Sequence, residues 1–135
     1  MVNETEKLTI NLGVVELAQI DVLVEQGVYA NRSDFIRTSI RTSLDNHKSR
    51  IEASLIPIAS KREWEKFIGI CHISGKTLEK LRENDSKLNI SVIGMLIFES
   101  SINTTLFSDT VENVVLRGKL IASDDIKNII AQMNG

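Results

Sequence analysis

The chain has 135 residues, of which 42% are hydrophobic, enough for one ordinary domain or two small ones, and this composition excludes wholesale disorder. Its 16 basic and 18 acidic side chains give a net charge of −2, so the overall balance does not favour nucleic acid. The single Cys71 excludes an internal disulfide, and no apolar run approaches the length of a membrane span, so we expect a cytoplasmic protein without membrane contact.

The segment Lys7–Leu12 alternates polar and apolar residues without a break, which is typical of a half-buried β-strand. Its apolar face consists of Leu8, Ile10 and Leu12. Its polar face consists of Lys7, Thr9 and Asn11. No other strand is predicted nearby, and a lone strand in water leaves its backbone groups unpaired. We therefore predict that the same strand of a second copy pairs with it.

Two helices are predicted after this strand. Residues 14–26 show helical periodicity, and Gly27 stands where a left-handed C-terminal cap is expected. Asn31 is a good N-cap for the second helix, with Asp34 three residues later as in a capping box. Ile36, Ile40 and Leu44 continue that helix at four-residue spacing. It is expected to run past His47, with Pro57 as its outer limit.

The order of strand, helix, turn and helix resembles the ribbon-helix-helix DNA-binding family of the MetJ, Arc and CopG type, in particular its CopG regulators. The resemblance rests on the strand Lys7–Leu12 and on the segment Ala30–Arg37, and it covers roughly residues 5–47. It implies an intertwined dimer whose two strands form an antiparallel ribbon that enters the major groove.

In such a dimer the polar face of the ribbon would read bases. Asn can bond adenine, Lys can donate to guanine, and Thr can serve either edge, so Lys7, Thr9 and Asn11 are the predicted base-reading residues. The free amides at the start of the second helix can hold a phosphate, so the predicted phosphate-binding residues are Asn31, Arg32 and Ser33. The first fifty residues carry six basic and seven acidic side chains, a net −1, which predicts modest non-specific affinity.

The remaining chain is predicted to form a connector and a second domain. The expected domains are residues 1–48, a helical extension or linker at 49–66, and a small mixed α/β domain at 67–135, so the fold class is α+β. Strands are predicted at 67–73, 88–98 and 114–122, and helices at 77–84 and 124–133, while 103–112 could be a helix or a loop.

A weak repeat links two of these strands. The segment Val92–Ile97 resembles Leu116–Ile121, offset by 24 residues and with a glycine at the third position of each. It suggests two similar strands that pair within the domain or across a dimer axis, with Ile93, Met95 and Leu120 as interface residues.

A metal site and a catalytic site are both disfavoured. His47, His72 and Cys71 are the main candidate ligands, and neighbouring residues of a strand point to opposite faces, so Cys71 and His72 cannot easily bind one ion. No phosphate loop, catalytic triad or paired-acid motif appears, so we predict neither an enzyme nor a cofactor.

The sequence therefore predicts a homodimeric, sequence-specific DNA-binding regulator that acts as a repressor on double-stranded DNA. The second domain would drive higher assembly or bind an effector. The alternative is an antitoxin whose C-terminal half binds a protein partner. A DNA-organising protein and a metal-responsive regulator are further options.

Overall fold

A computed structural model describes residues 4–55 and 63–133 of the chain. The chain divides into two compact units, Met1–Ile51 and Glu52–Gly135. Residues 56–62 of the predicted connector, which include Pro57, lie outside the described residues.

Helices make up the regular structure of the N-terminal unit. They are α1 (Val14–Glu25), α2 (Arg32–Asn46) and α3 (Lys48–Ala53), of which α3 extends past the boundary between the units. Gly27 takes a φ of +77° just after α1, as its predicted capping role requires. The prediction that the second helix continues past His47 is wrong: His47 leaves helical geometry, its ring lies 2.8 Å from the Ser43 carbonyl, and α3 is a separate helix.

The predicted strand Lys7–Leu12 is not formed in the single chain. Residues 4–13 contain neither helix nor strand. The physical reason is that a β-ladder needs a partner, and no described strand of the same unit can supply one. The ribbon thus stays a prediction about two copies of the chain.

The C-terminal unit repeats a strand and a helix three times. Its elements are β1 (Glu65–Ile73), α4 (Gly75–Glu83), β2 (Leu88–Phe98), α5 (Thr104–Thr110), β3 (Val111–Ile121) and α6 (Asp124–Met133). The strands form one parallel sheet in the order β1-β2-β3. These bounds confirm the three predicted strands and the two predicted helices to within a few residues, and the undecided segment 103–112 contains a helix.

A row of glycines crosses the centre of this sheet. Gly69, Gly94 and Gly118 lie side by side in register, with φ values of +131°, +133° and +137°. The two strands of the predicted weak repeat are therefore neighbours within one domain. Phe67–His72 is a third copy, and its offset of 25 residues from Val92–Ile97, rather than 24, makes the repeat irregular in the sequence.

One hydrophobic core fills the space between the sheet and its helices. Leu78 of α4, Phe107 of α5 and Ile126 of α6 all belong to it, together with Val92 and Leu96 of β2. All three helices therefore pack on the same face of the sheet. Of the predicted interface residues, Leu120 packs against this core, whereas Ile93 and Met95 occupy the alternate positions of the strand and face the other way.

Candidate nucleic-acid interface

The three predicted base-reading side chains are all accessible. Lys7, Thr9 and Asn11 are exposed and make no hydrogen bond or ion pair with any described residue. The apolar residues between them are exposed too: Leu8 is 84% exposed and Ile10 is 60% exposed. In a single chain the segment therefore leaves both its polar and its apolar side chains in solvent.

The start of α2 has the cap that the sequence predicts. The Asn31 side chain accepts a hydrogen bond from the Asp34 amide at 2.8 Å, and the Asp34 carboxylate accepts one from the Ala30 amide at 2.9 Å. The amides of Arg32 and Ser33 follow directly and have no acceptor among the described residues. These two donors lie at the positive end of a 15-residue helix, where an anion is favoured.

The Arg32 side chain has a partner that the sequence did not reveal. Its Nε and Nη2 donate to the two carboxylate oxygens of Asp21 in α1, both at 2.8 Å. This bidentate pair lowers the pKa of Asp21, first through the hydrogen bonds from Arg32, and it raises the pKa of Arg32 in the same way. Sequence spacing carries no signal for the pair, because the two residues stand eleven positions apart across a turn.

An apolar groove of about 450 Å³ runs between the N-terminal segment and the two helices. Ile10 and Leu12 line one part of it, and Ile20, Phe35 and Ile40 line another. Two of the three apolar side chains of the predicted strand, Ile10 and Leu12, therefore lie beside the helices while remaining partly exposed, and Leu8 does not line the groove.

The N-terminal unit lacks a core of its own. Among its described residues only Ile20 is buried, at 6% exposure, and no residue of α2 is buried. Ile40 and Leu44 of α2 remain more than half exposed. Since two helices of this length owe most of their stability to the burial of an apolar face, this unit needs further cover.

A comparison with protein-family models finds one that covers both units. The model of the ribbon-helix-helix transcriptional regulator family matches residues 3–127. The chain belongs to this ribbon-helix-helix family. The match is much longer than the roughly 5–47 on which the resemblance rested, so the family description includes most of the C-terminal unit.

Other comparisons add no relative. A search of the curated proteins and a search of the solved structures gave no match. Within the described residues of this ribbon-helix-helix protein, no helix is long and apolar enough to cross a membrane.

The two adjacent candidate metal ligands of the C-terminal unit occupy different surroundings. Cys71 packs against the core, where burial raises the pKa of its thiol, with a smaller contribution from Glu65. His72 is exposed on the alternate side of the strand. Within the described residues, no three His, Cys, Asp or Glu side chains group as metal ligands would.

Proposed function

We propose that this ribbon-helix-helix protein is a homodimeric, sequence-specific transcriptional repressor whose paired N-terminal segments enter the major groove of DNA. The observation that carries the proposal is the uncovered apolar groove beside an unpaired extended segment. A second copy would supply both missing parts: a strand for the backbone of residues 7–12 and apolar side chains for the groove.

If two copies of the segment pair, the apolar side chains of the ribbon face the helices and its polar side chains face the opposite way. Ile10 and Leu12 already line the groove, so the backbone alternation directs Thr9 and Asn11 away from the helices. An antiparallel ribbon would then present Lys7, Thr9 and Asn11 twice, related by the dimer axis. The major groove admits such a ribbon, and these side chains match the donors and acceptors of its base edges.

Phosphate contacts would come from the start of α2. Because the Arg32 guanidinium is bound to Asp21 and the Asn31 side chain caps the helix, the free amides of Arg32 and Ser33 are the proposed phosphate donors. Such contacts set the position of the protein on DNA but do not read its sequence. The Asp21 pair holds the first turn of α2 against α1 and thereby fixes where these amides point.

Repression is the proposed outcome because a protein bound in the major groove of a promoter keeps other proteins off the same DNA and needs no contact with them. The C-terminal unit has its own buried core, and this supports a regulator over an antitoxin whose tail folds only on its partner. Ribbon-helix-helix regulators act by binding, so no reaction is proposed.

The test begins with selection of bound sequences from random double-stranded DNA by the full-length protein. On the selected site, Asn11→Ala is expected to cost roughly 1–3 kcal/mol of binding free energy, because the side chain loses its base contact. Asn128→Ala in the exposed part of α6 is the matched control and should bind like the parent. Failure to enrich any sequence, or equal affinity of Asn11→Ala and the control, would contradict the proposal.

A further inference from the structure

The strand β1 is an edge of the sheet, and its apolar side chains remain exposed. Among the described residues its only neighbouring strand is β2, so the backbone groups on its outer side have no ladder partner there. Phe67, Ile68 and Ile70 are 42%, 48% and 45% exposed. Phe67 stands in register with Val92 of the core and so lies on the helix side, whereas Ile68 and Ile70 lie on the other side. The middle of this edge is therefore apolar on both faces.

The two edges of the sheet differ in how they are protected. Native edge strands usually avoid pairing with another chain through charged residues, proline or a short length. The edge strand β3 carries Arg117 and Lys119 on either side of Gly118. The edge strand β1 has nine residues, no proline and no charged side chain between Lys66 and His72. Of the two edges, β1 is therefore the one that another strand can join.

We propose that β1 pairs antiparallel with β1 of a second copy, about a two-fold axis that passes between the two Gly69 residues. The two three-stranded sheets then become one sheet of six strands. The inference rests on the homodimer of the proposed function, in which the short stretch between Ala53 and Glu65 tethers each β1 to a paired N-terminal unit.

The backbone around Gly69 fits this axis. Its carbonyl oxygen points towards β2, because it lies where a Cβ on Gly94 would be. The backbone groups of Ile68 and Ile70 alternate with those of Gly69, so they point to the outer side. Ile68 of each copy then exchanges hydrogen bonds with Ile70 of the other. The two Gly69 residues form a non-hydrogen-bonded pair, in which the Cα atoms approach to about 4.5 Å.

The same axis brings the exposed apolar side chains of the two copies together. Ile68 lies opposite Ile70 of the second copy on one face of the joined sheet. Phe67 lies opposite Cys71 of the second copy on the helix face, where Cys71 already packs against its own core. Each contact occurs twice by symmetry, so all three exposed apolar side chains of the edge gain an apolar neighbour.

Charge also favours β1 over β3 for this pairing. In the β1 pair, Lys66 and His72 lie opposite each other at the ends, where both are exposed and reach solvent. The corresponding pairing of β3 about Gly118 would place Arg117 directly opposite Lys119 of the second copy, twice. Like charges directly opposite each other destabilise a strand pair.

The size of the contact explains why it depends on a tether. Residues 66–72 at about 3.3 Å each, in a sheet about 10 Å thick with its side chains, give roughly 500 Å² for the two edges together. Stable interfaces between free proteins bury about 1,200–2,000 Å². The effective concentration supplied by paired N-terminal units compensates for the smaller area.

A disulfide between two copies tests the contact in the full-length protein. In Phe67→Cys the new thiol would lie opposite the native Cys71 of the second copy, at a Cα separation of about 4.5 Å that suits a disulfide. Within one chain the two positions are about 13 Å apart along the strand, which is too far for a bond. Oxidation with diamide is expected to give a covalent dimer in high yield, with position 67 joined to Cys71.

The matched control is Phe67→Cys combined with Cys71→Ser. Its two thiols would lie about 13 Å apart across the axis, so the control should remain a single chain in denaturing electrophoresis. Since Phe67 is 42% exposed, both proteins should fold, which circular dichroism checks. A covalent dimer of the control, or none of Phe67→Cys, would overturn the proposal.

A pair of charge variants tests the register itself. In the Phe67→Cys protein, Ile68→Lys combined with Ile70→Glu would place opposite charges across the axis and should keep the yield of covalent dimer. Ile68→Lys combined with Ile70→Lys would place like charges there and should reduce the yield several-fold. Equal loss in both would refute the pairing of Ile68 with Ile70.

Light scattering and binding to the selected DNA site separate this inference from the function on which it rests. A dimeric Phe67→Cys protein that binds the site but forms no disulfide would overturn only this inference. Disulfide formation by a protein that binds no DNA would overturn only the proposed DNA binding. A monomeric parent protein would overturn both, because the contact needs the tether.

Discussion

The Arg32 guanidinium joins α1 to α2 at the turn from which α2 begins. Its bidentate pair with Asp21 lies next to the cap formed by Asn31, so side-chain bonds hold the first turn of α2 from two directions. Free backbone donors can bind a phosphate in a defined position only if the helix start is itself fixed. Within the proposed function, the Arg32 side chain therefore positions the backbone amide that is the proposed phosphate donor.

Replacing the acid of this pair should loosen the helix start and make the change depend on pH. Asp21→Asn is expected to lower both the thermal stability and the affinity for the selected DNA site at neutral pH. Because the folded-state pKa of Asp21 is lowered, its contribution is complete above the unfolded-state value of about 3.9 and disappears as the pH falls through the folded-state pKa.

Thermal melts between neutral and strongly acidic pH measure this effect. The difference between parent and Asp21→Asn should narrow towards acid. Asp45→Asn, at an exposed acid of α2 whose carboxylate bonds no described residue, is the charge-matched control. A pH-independent difference would show that the pair is not the source of the stability.

At the scale of the elements, the glycine row determines how closely the three strands approach. A Cβ on Gly94 would collide with the Gly69 carbonyl oxygen, and a Cβ on Gly118 would collide with the Gly94 carbonyl oxygen. All three glycines also have φ values that side chains of L-residues rarely adopt. The row therefore lets three neighbouring strands adopt the same positive-φ conformation at one level of the sheet while their register continues on both sides.

A methyl group in this row should destabilise the whole C-terminal unit. Gly118→Ala is expected to cost roughly 3 kcal/mol or more, because backbone strain adds to a clash that only a strand shift can relieve. Chemical denaturation of the full-length protein measures the loss.

The matched control for this prediction lies in the same row. Gly69→Ala carries similar backbone strain, but its nearest contact is the Phe67 ring at 3.4 Å rather than a backbone atom. It should cost clearly less than Gly118→Ala. Equal costs would mean that strain alone, and not the close approach of the strands, requires glycine.

At the scale of the whole molecule, the two units differ in whether each buries a hydrophobic core of its own. The C-terminal unit buries a continuous core between its sheet and helices. The N-terminal unit buries only Ile20 among its described residues and leaves an apolar groove open. In the proposed homodimer its stability comes from association, so the concentration of the second copy is part of its folding equilibrium.

Two substitutions at neighbouring positions separate association from DNA reading. Ile10→Asp would bury an unpaired carboxylate in the proposed dimer, which costs several kcal/mol, so it should yield monomers with reduced helical content. Thr9→Asp lies on the opposite face and should leave the dimer intact while weakening DNA binding. Light scattering and circular dichroism measure both; a dimeric, fully helical Ile10→Asp protein would contradict pairing through this segment.

The sequence by itself determined the elements and the family. Periodicity placed α1, the cap of α2 and the three strands, because these are local patterns of burial and hydrogen bonding that a short window contains. The order of strand and two helices indicated the family that the longer match of residues 3–127 established.

Only the tertiary structure decided which distant residues meet. It paired Arg32 with Asp21, aligned Gly69 with the two glycines of the recognised repeat, and placed Leu120 on the face opposite Ile93 and Met95. Periodicity within one element cannot supply these relations, because each depends on how two or more elements are oriented in space. For the same reason Lys7–Leu12 has the sequence pattern of a strand but is not a strand in the single chain. The backbone hydrogen bonds of a strand need a neighbouring strand, and none is present beside this segment in the described residues.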